Sequence, residues 1–339
     1  MPAPLLREAR WCDRVGQRRL PKQAAWRIEQ HMNKLVVIGG SGFVGRHFLD
    51  LCSALRDTEV VYAIHRTEPD WLRAANVRIE RFDVNDPESL AVILAPGCTV
   101  INLLRPDGSG WFEPAIVNVL KACEQVPVKR YVHVSSIDVF GAAPDPVVDA
   151  ATPIQPRTPY EREHAAAETL VRAVAASRFE VLVLRLGAVF GDGGLNIVSF
   201  VREVSSAPAW KLGLRRVLYG PRRMHLVSVE KVVQTLVFVA QVPEIRQGEV
   251  VLVTDDAAAE NNFGYLQDAL LKAFGRPSIS YLPHVPQALL GLLLRLRKVS
   301  NANPMRRFSE ARLAEWRQPP TADFKQQLHR YIAVLKESA

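Results

Sequence analysis

The sequence predicts an α/β fold in which a doubly wound parallel sheet is accompanied by a smaller, mostly helical C-terminal lobe. Three observations support this prediction. Short runs rich in Val, Ile and Leu alternate with helical patterns, the runs are apolar at consecutive positions, and the alternation loosens after residue 187. Strands that are apolar on both faces are typical of a parallel sheet with helices on both sides.

Seven strands follow from these runs, at residues 34–38, 59–64, 77–82, 98–104, 130–134, 180–186 and 250–253. Helical periodicity is found after the first strand up to residue 55 and at 87–94, 111–125, 160–177, 196–205, 229–240, 263–274, 286–297 and 322–336. Between the helices at 196–205 and 229–240 we expect a basic loop carrying Lys211, Arg215, Arg216, Arg222 and Arg223.

Composition excludes several classes of protein. The chain of 339 residues is 48% hydrophobic and 23% charged, so it can bury a core and is not disordered. Its net charge of +8 suits an anionic ligand better than a dedicated nucleic-acid binder, and no nucleic acid is predicted as a partner. The cysteines Cys12, Cys52, Cys98 and Cys123 lie far apart without a CxxC pair. This spacing excludes a zinc ribbon and a dense disulfide framework, so we predict no metal site and expect a cytoplasmic protein.

Two further segments bear on location and on the start of the fold. No apolar run reaches 18 residues, so no membrane span is predicted, and the apolar stretch 288–296 is either a core helix or an interfacial helix anchored by Arg295, Arg297 and Lys298. Residues 1–32 carry half of the net charge and precede the first strand. We interpret them as an N-terminal extension, either a peripheral arm or the product of a start site upstream of Met32.

A glycine-rich segment follows the first predicted strand. Gly39, Gly42 and Gly45 form the pattern GxxGxxG between a strand and a helix. Glycines allow a tight turn and close approach of a pyrophosphate, and the free amides at the helix N-terminus favour its charge. The segment therefore predicts a Rossmann-type dinucleotide site whose contacts include Gly39, Ser41, Gly42, Phe43, Val44, Gly45 and Arg46.

The ends of the next two strands bear on the adenosine half of the dinucleotide. The second strand is followed by Arg66 where a carboxylate would bind the ribose of NAD, so Arg66 favours NADP over NAD through contact with a 2′-phosphate. Asp83, after the third strand, either accepts a hydrogen bond from the adenine amino group or caps the following turn or helix.

Together these segments resemble the extended short-chain dehydrogenase/reductase family, the NAD(P)-dependent epimerase/dehydratase group, from about residue 33 to the end. The matching segments are 39–45, Asp83, Asn118, 134–141, 159–160, 185–191 and 226–232. The resemblance implies that Ser136 and Tyr160 are catalytic, with Tyr160 as general acid/base. It also adds the cofactor contacts Val84, Leu103, Leu104, Asn118, Tyr160, His164, Leu186 and Val189. Arg105 stands at the end of the fourth strand, where the family usually has small residues. It is either a further contact of the substrate or of the cofactor phosphates, or a solvated loop cation.

The sequence departs from the family pattern four residues after the tyrosine, where His164 replaces the family's lysine. A histidine is mostly neutral at pH 7 and gives a weaker field than lysine. With His164 as the third catalytic candidate, three interpretations stay open: a working variant, a slow or specialised enzyme, and a cofactor-binding protein without chemistry.

The substrate is predicted from the C-terminal lobe. Residues 202–223 carry a net charge of +5, which suits the diphosphate of a nucleotide-activated sugar, and the candidate contacts are Ser136, Asn196, Arg222 and Arg223. Our leading hypothesis is hydride transfer at a hydroxyl or keto carbon of such a sugar, with polysaccharide synthesis as the cellular role. The alternatives are a reductase or dehydrogenase of a steroid-like or other hydrophobic alcohol or ketone, and a non-catalytic NADP-binding protein.

The resemblance also implies a domain division and an assembly. The cofactor domain is expected at 33–186 plus about 226–253, and the substrate lobe at about 187–225 plus 254–339. Family members often dimerise through the helices predicted here at 111–125 and 160–177, so a homodimer is an open expectation.

Overall fold

The computed structural model describes residues 34–52, 55, 58–65, 77–174, 179–280, 282–297 and 302–338. The predicted N-terminal extension and Arg66 lie outside these residues. The strands are β1 Lys34–Ile38, β2 Glu59–Ile64, β3 Val77–Arg81, β4 Thr99–Asn102, β5 Arg130–Ser136, β6 Val147–Val148, β7 Glu180–Leu186, β8 Ala188–Phe190, β9 Leu226–Ser228, β10 Glu249–Val253 and β11 Arg307–Phe308. The helices are α1 Phe43–Cys52, α2 Pro87–Ala91, α3 Phe112–Gln125, α4 Pro159–Ala173, α5 Val198–Ser206, α6 Ala209–Tyr219, α7 Val229–Gln241, α8 Phe263–Ala273, α9 Gln287–Leu296, α10 Ala311–Glu315 and α11 Phe324–Ser338.

In the described part of the chain, the main sheet has seven parallel strands in the order β10-β7-β5-β4-β1-β2-β3. Strand β1 lies between β2 and β4, with Val36 opposite Val61 on one side and Val100 on the other. The strand order reverses direction at β1, which opens a crevice at the carboxyl ends of the strands. The predicted doubly wound parallel sheet is confirmed.

Both faces of the sheet are covered. Along β1, Val36 and Ile38 pack into the hydrophobic cluster that contains α3 and α4 residues, whereas Leu35 and Val37 pack into the cluster that contains α1 and α7 residues. Successive side chains of a strand point to opposite faces, so this alternation places helices on both sides. It explains why the strands are apolar at consecutive positions.

A third hydrophobic cluster lies outside the sheet. It joins α5, α8 and α11 through residues such as Phe200, Phe263 and Tyr331. The C-terminal part is mostly helical, as predicted. The domain boundaries given above stay a prediction.

The basic segment after α5 differs from the prediction. Residues 209–219 form helix α6 rather than a loop. Lys211 and Arg215 both pair with Glu203 of α5, and Arg216 pairs with Asp268 of α8 at 3.1 Å. These three cations therefore hold helices together, and of the five cations of the predicted loop only Arg222 and Arg223 line the cleft.

Helix α9 corresponds to the apolar stretch at 288–296. One of the two interpretations of this stretch was a core helix, and the structure differs from it. Leu290 and Leu294 are buried, whereas the opposite side of the helix exposes Leu289, Leu292, Leu293 and Leu296. Within the described ranges, no helix is both long and apolar enough to cross a membrane.

Candidate active site

A cleft of about 670 Å³ opens at the carboxyl ends of the central strands. The turn after β1, the segment after β4, the end of β5 and the start of α4 form one wall of residues, and segments from the C-terminal half form the other. Among the predicted site residues, it is lined by Gly39, Gly42, Phe43, Val44, Gly45, Leu103, Leu104, Arg105, Ser136, Tyr160, His164, Leu186, Val189, Asn196, Arg222 and Arg223.

The turn after β1 has the backbone geometry expected of a phosphate-binding loop. Gly39 adopts a φ of 73°, and a Cβ atom there would lie 2.9 Å from the backbone nitrogen of Leu104. Gly42 is exposed at the entrance to α1, and its amide donates to the Gly39 carbonyl at 3.3 Å. The glycines thus keep the loop close to the end of β4 and leave its outer side open.

This cradle fits the pyrophosphate of a dinucleotide. Helix α1 starts directly after the loop and has no acidic residue in its first turn. Its free amides and partial positive charge are therefore available to an anion. Gly39, Gly42 and Gly45 would hold the phosphates, while Leu103 and Leu104 supply an apolar wall farther along the cleft.

Five of the predicted cofactor contacts lie outside the cleft lining. These are Ser41, Arg46, Asp83, Val84 and Asn118. The Asp83 carboxylate accepts from the backbone amide of Asn85 at 2.9 Å, whereas the N-cap of α2 is Asp86. Asn118 donates to the Val84 carbonyl at 3.0 Å, which ties α3 to the segment after β3.

Ser136 and Tyr160 meet in the cleft from two different elements. Ser136 ends β5, and its hydroxyl accepts from the amide of Asp138 at 3.1 Å. Tyr160 lies in the first turn of α4, which begins at Pro159. Thr158 and Glu161 form a reciprocal capping box at this end of the helix. The Ser136 side chain also lowers the pKa of the Tyr160 phenol, so the two side chains are neighbours.

Opposing effects act on the Tyr160 phenol. Burial raises its pKa, and the charge of Asp138 raises it further. Arg105 lowers the pKa through its charge and a hydrogen bond, and the hydrogen bond with Ser136 lowers it as well. The guanidinium carbon of Arg105 lies 5.4 Å from the centroid of the phenol ring.

His164 is close to the tyrosine but is uncharged. Its ring lies edge-on to Tyr160 and Phe112, with centroid distances of 4.7 Å and 5.7 Å. Burial lowers its pKa to about 3, with a further contribution from nearby His133. Neither ring nitrogen has a hydrogen-bond partner among the described residues. His164 therefore gives the phenol no positive charge near neutral pH.

The predicted substrate residues lie at the other wall of the cleft. Asn196 donates to the Val189 carbonyl at 2.8 Å, which holds the loop before α5. The guanidinium of Arg223 donates to the carbonyls of Asp256 and Ala258 at 3.2 Å and 3.0 Å. Arg222 lies 5.8 Å from the Tyr219 ring centroid, and burial lowers its pKa. Both arginines line the cleft, so each brings a cation to it.

Three ionisable residues of the cleft were missed by the sequence reasoning: Asp138, His225 and Arg306. Asp138 follows Ser136 by two residues, so its place in the same segment was a usable signal. His225 pairs through Nδ1 with the Asp256 carboxylate at 2.8 Å, and Arg306 donates to the carbonyls of Gly141 and Ala143. These partners are distant in sequence, and no local pattern indicates them.

Residues 35–254 of this chain match the family model described as the NAD dependent epimerase/dehydratase family. That range contains the sheet, the glycine loop, Ser136 and Tyr160.

Curated relatives match more weakly. A low-salt glycan biosynthesis protein of Haloferax volcanii is 27% identical over 157 residues, which cover 41% of this chain and 51% of the relative. The human dTDP-D-glucose 4,6-dehydratase is 24% identical over 195 residues, which cover 47% of this chain and 51% of that enzyme. The chain thus matches about half the length of these relatives.

Among solved structures, the fold is similar to that of the Bordetella bronchiseptica enzyme WbmG, whose structure is a complex with NAD and UDP. The TM-score is 0.68 at 17% identity, and the similarity covers 91% of this chain and 96% of the other. At this identity the likeness establishes the fold.

Proposed function

The chain belongs to the NAD-dependent epimerase/dehydratase family, and from this premise we propose that it transfers hydride at a hydroxyl or keto carbon of a nucleotide-activated sugar. The observation that carries the proposal is the meeting of Ser136 and Tyr160 in the same cleft as the glycine cradle. A dinucleotide bound in the cradle and a substrate oxygen at the two hydroxyls would then be neighbours.

The two hydroxyl side chains have separate roles in this proposal. As the substrate alcohol is oxidised, its proton passes to the oxygen of Tyr160, and it returns from there when a ketone is reduced. Ser136 donates a hydrogen bond to the same substrate oxygen and so fixes its position. When bound, NAD(P) supplies the hydride acceptor or donor.

The cationic wall supports a diphosphate-bearing substrate. Arg222 and Arg223 both line the cleft, where they would meet the phosphates of a sugar nucleotide. The names of the relatives agree with this class, since the human relative acts on dTDP-D-glucose and WbmG is described with UDP. The Haloferax volcanii relative supports a role in glycan synthesis.

Of the two alternatives, one has an observation in its favour. The uncharged His164 favours a cofactor-binding protein without chemistry, because the phenol lacks a cation at this position. The hydrophobic alcohol or ketone substrate was motivated by the apolar stretch at 288–296. Helix α9 does not line the cleft, so the apolar stretch no longer supports a hydrophobic substrate.

The test is turnover of sugar nucleotides by the intact chain and by Tyr160→Phe. UDP- and dTDP-sugars are incubated with NAD or NADP, and products are separated by anion-exchange chromatography while reduced cofactor is followed by absorbance. We expect Tyr160→Phe to lower turnover by about 10²–10⁴-fold and to leave cofactor affinity unchanged. The matched control is Tyr265→Phe, since Tyr265 bonds His329 far from the cleft.

Two results would contradict the proposal. Retained turnover in Tyr160→Phe would remove the tyrosine from the chemistry. Tight cofactor binding without turnover of any sugar nucleotide would favour the non-catalytic alternative.

The homodimer through α3 and α4 remains part of the proposal, and analytical ultracentrifugation would test it.

A further inference from the structure

The phenol of Tyr160 must ionise to accept a proton, and helix α4 offers it no cation. One turn along the helix from Tyr160 lies His164, whose ring is 3% exposed and packs against aromatic edges. A buried imidazole without a hydrogen-bond partner is neutral, since desolvation disfavours the charged form. Glu161, also on α4, has its carboxylate turned to the backbone amides of Arg157 and Thr158.

The charged groups that face the phenol come from two other elements. Asp138, in the 3₁₀ turn after β5, is negative and opposes ionisation. Arg105, in the segment after β4, is positive and stands over the ring at 5.4 Å. Burial raises the pKa of the Asp138 carboxyl, and the charge of Arg105 opposes that rise. The guanidinium is therefore near both groups and offsets the field of the carboxylate at the phenol.

The position of Arg105 follows from the fold rather than from its own sequence neighbourhood. Strand β4 ends at Asn102, three residues before Arg105. The Asn102 side chain accepts from the Leu104 amide at 3.0 Å, and this bond shapes the turn. Glu163 of α4 accepts from the amides of Gly108 and Gly110, which fastens the far end of the same loop to the tyrosine helix. The loop that carries Arg105 is thus attached at both ends.

We propose that Arg105 is the cation that stabilises the phenolate of Tyr160, reaching it from the β4–α3 loop in place of a basic residue on α4. The inference rests on the proposed function, because it gives Arg105 a purpose only if Tyr160 exchanges protons. Arg105 is a positioning residue in this scheme, since it acts on substrate chemistry through Tyr160.

The direct test is titration of Tyr160 by NMR in protein labelled at tyrosine Cζ, with Tyr160→Phe identifying the signal. An opposite charge within about 4–6 Å changes the ionisation constant of an acid by about 10- to 1000-fold, and because Arg105 is exposed to solvent the low end of that range applies. We expect Arg105→Gln to reduce the phenolate fraction about tenfold at a given pH, and Arg105→Lys to restore most of it.

Two variants serve as controls. Arg162→Gln removes an exposed cation of the same helix whose guanidinium donates to the Arg157 carbonyl, and it should leave the titration of Tyr160 unchanged. His164→Gln should also leave it unchanged, because no charge is lost. An unchanged titration in Arg105→Gln, or an equal change in Arg162→Gln, would overturn the inference. Thermal melting of each variant checks folding, and Arg105→Lys keeps the test valid if Arg105→Gln does not fold.

The outcomes separate this inference from the proposed function. The NMR titration needs no turnover, so a tenfold change in Arg105→Gln supports the electrostatic role even in a protein that converts no sugar nucleotide. If turnover is present, kcat of Arg105→Gln should fall at low pH and approach that of the unmodified protein as the pH rises. A pH-independent fall in kcat would instead indicate a structural or ligand-binding role and would contradict the inference.

Discussion

The imidazole of His164 lies edge-on to the phenol of Tyr160, with ring centroids 4.7 Å apart. One helical turn separates the two residues, so α4 presents them on the same side. Because the histidine is buried and neutral, this contact is aromatic packing and not a charge interaction. Two consequences follow for the protein: the cation near the phenol has to come from elsewhere, and the buried imidazole makes folding sensitive to acid.

The first prediction is a loss of stability below about pH 6.5. Burial lowers the pKa of His164 to about 3 and that of His133 to about 4. In the unfolded chain both take up protons below about 6.5, while the native state does not, so acid favours unfolding. Stability is therefore full above this pH and falls as the pH drops toward 4, by at most about 1.4 kcal/mol per pH unit for each histidine.

Urea unfolding at a series of pH values from 7.5 to 4.5 measures this dependence. His164→Leu should reduce the slope of unfolding free energy against pH, whatever it does to the stability at pH 7.5. His329→Gln, on the exposed side of α11, should leave the slope unchanged. Equal slopes in the unmodified protein and His164→Leu would show that the imidazole is not neutral when buried.

The second prediction concerns Gly39, for which the chain offers a matched control. Gly39 and Gly97 have φ values of 73° and 75°, so alanine at either position is strained by about 1–3 kcal/mol. A Cβ at Gly97 meets nothing within 4 Å, whereas a Cβ at Gly39 meets the backbone of Leu103 and Leu104. Only Gly39→Ala should therefore disturb the cleft.

Cofactor titration by fluorescence or calorimetry distinguishes the two variants. We expect Gly39→Ala to weaken dinucleotide binding at least tenfold and Gly97→Ala to leave it unchanged, although both lose stability in urea. Unchanged binding in Gly39→Ala would mean that the loop after β1 does not hold the phosphates.

The elements that sequence patterns predicted well are those determined locally. Strand β1, the glycine turn and α1 are contiguous, and their signals are apolar residues, glycines without Cβ atoms and helical spacing. The meeting of Ser136 and Tyr160 was predicted because each belongs to a short motif of the family. Both motifs end at the carboxyl edge of the sheet.

The rest depends on contacts between distant parts of the chain. Helix α6 was predicted as a loop, and its cations pair with Glu203 and Asp268 of two other helices, which no local pattern indicates. The approach of Arg105 to Tyr160 and the pairing of His225 with Asp256 follow only from the packed fold. Cofactor preference stays a prediction as well.

The third prediction addresses that preference. Arg66 is the second residue after β2 in sequence, and we expect its guanidinium to bind a 2′-phosphate. Arg66→Ala should weaken NADP binding about tenfold or more and leave NAD binding nearly unchanged. Arg78→Ala, which removes a half-exposed cation of β3, is the control. Equal losses for both dinucleotides, or none, would assign Arg66 no part in the choice of cofactor.

The fourth prediction concerns Glu168 of α4, which is buried against strands β5 and β7. Its carboxylate accepts from the Ser135 hydroxyl at 2.6 Å and forms a two-point contact with Arg185, whose Nη2 lies 2.6 Å from Oε2. Ser135 and Arg185 belong to β5 and β7, so this one side chain fastens α4 to two strands of the sheet. Removal of its charge leaves the guanidinium of Arg185 buried without a counterion.

We expect Glu168→Gln to lower the free energy of unfolding by about 3–5 kcal/mol, as the loss of one partner of a buried ion pair does. The same substitution at Glu315, whose pair with Arg312 is at the surface, should cost about 0–1 kcal/mol. Urea denaturation at pH 7.5 measures both. Because α4 also carries Tyr160, Glu168→Gln should lower kcat more than it changes cofactor affinity, as the tyrosine loses its fixed distance from Ser136. Similar stability of the two variants would mean that Ser135 and solvent compensate Arg185, and α4 would then be held in place mainly by its apolar face.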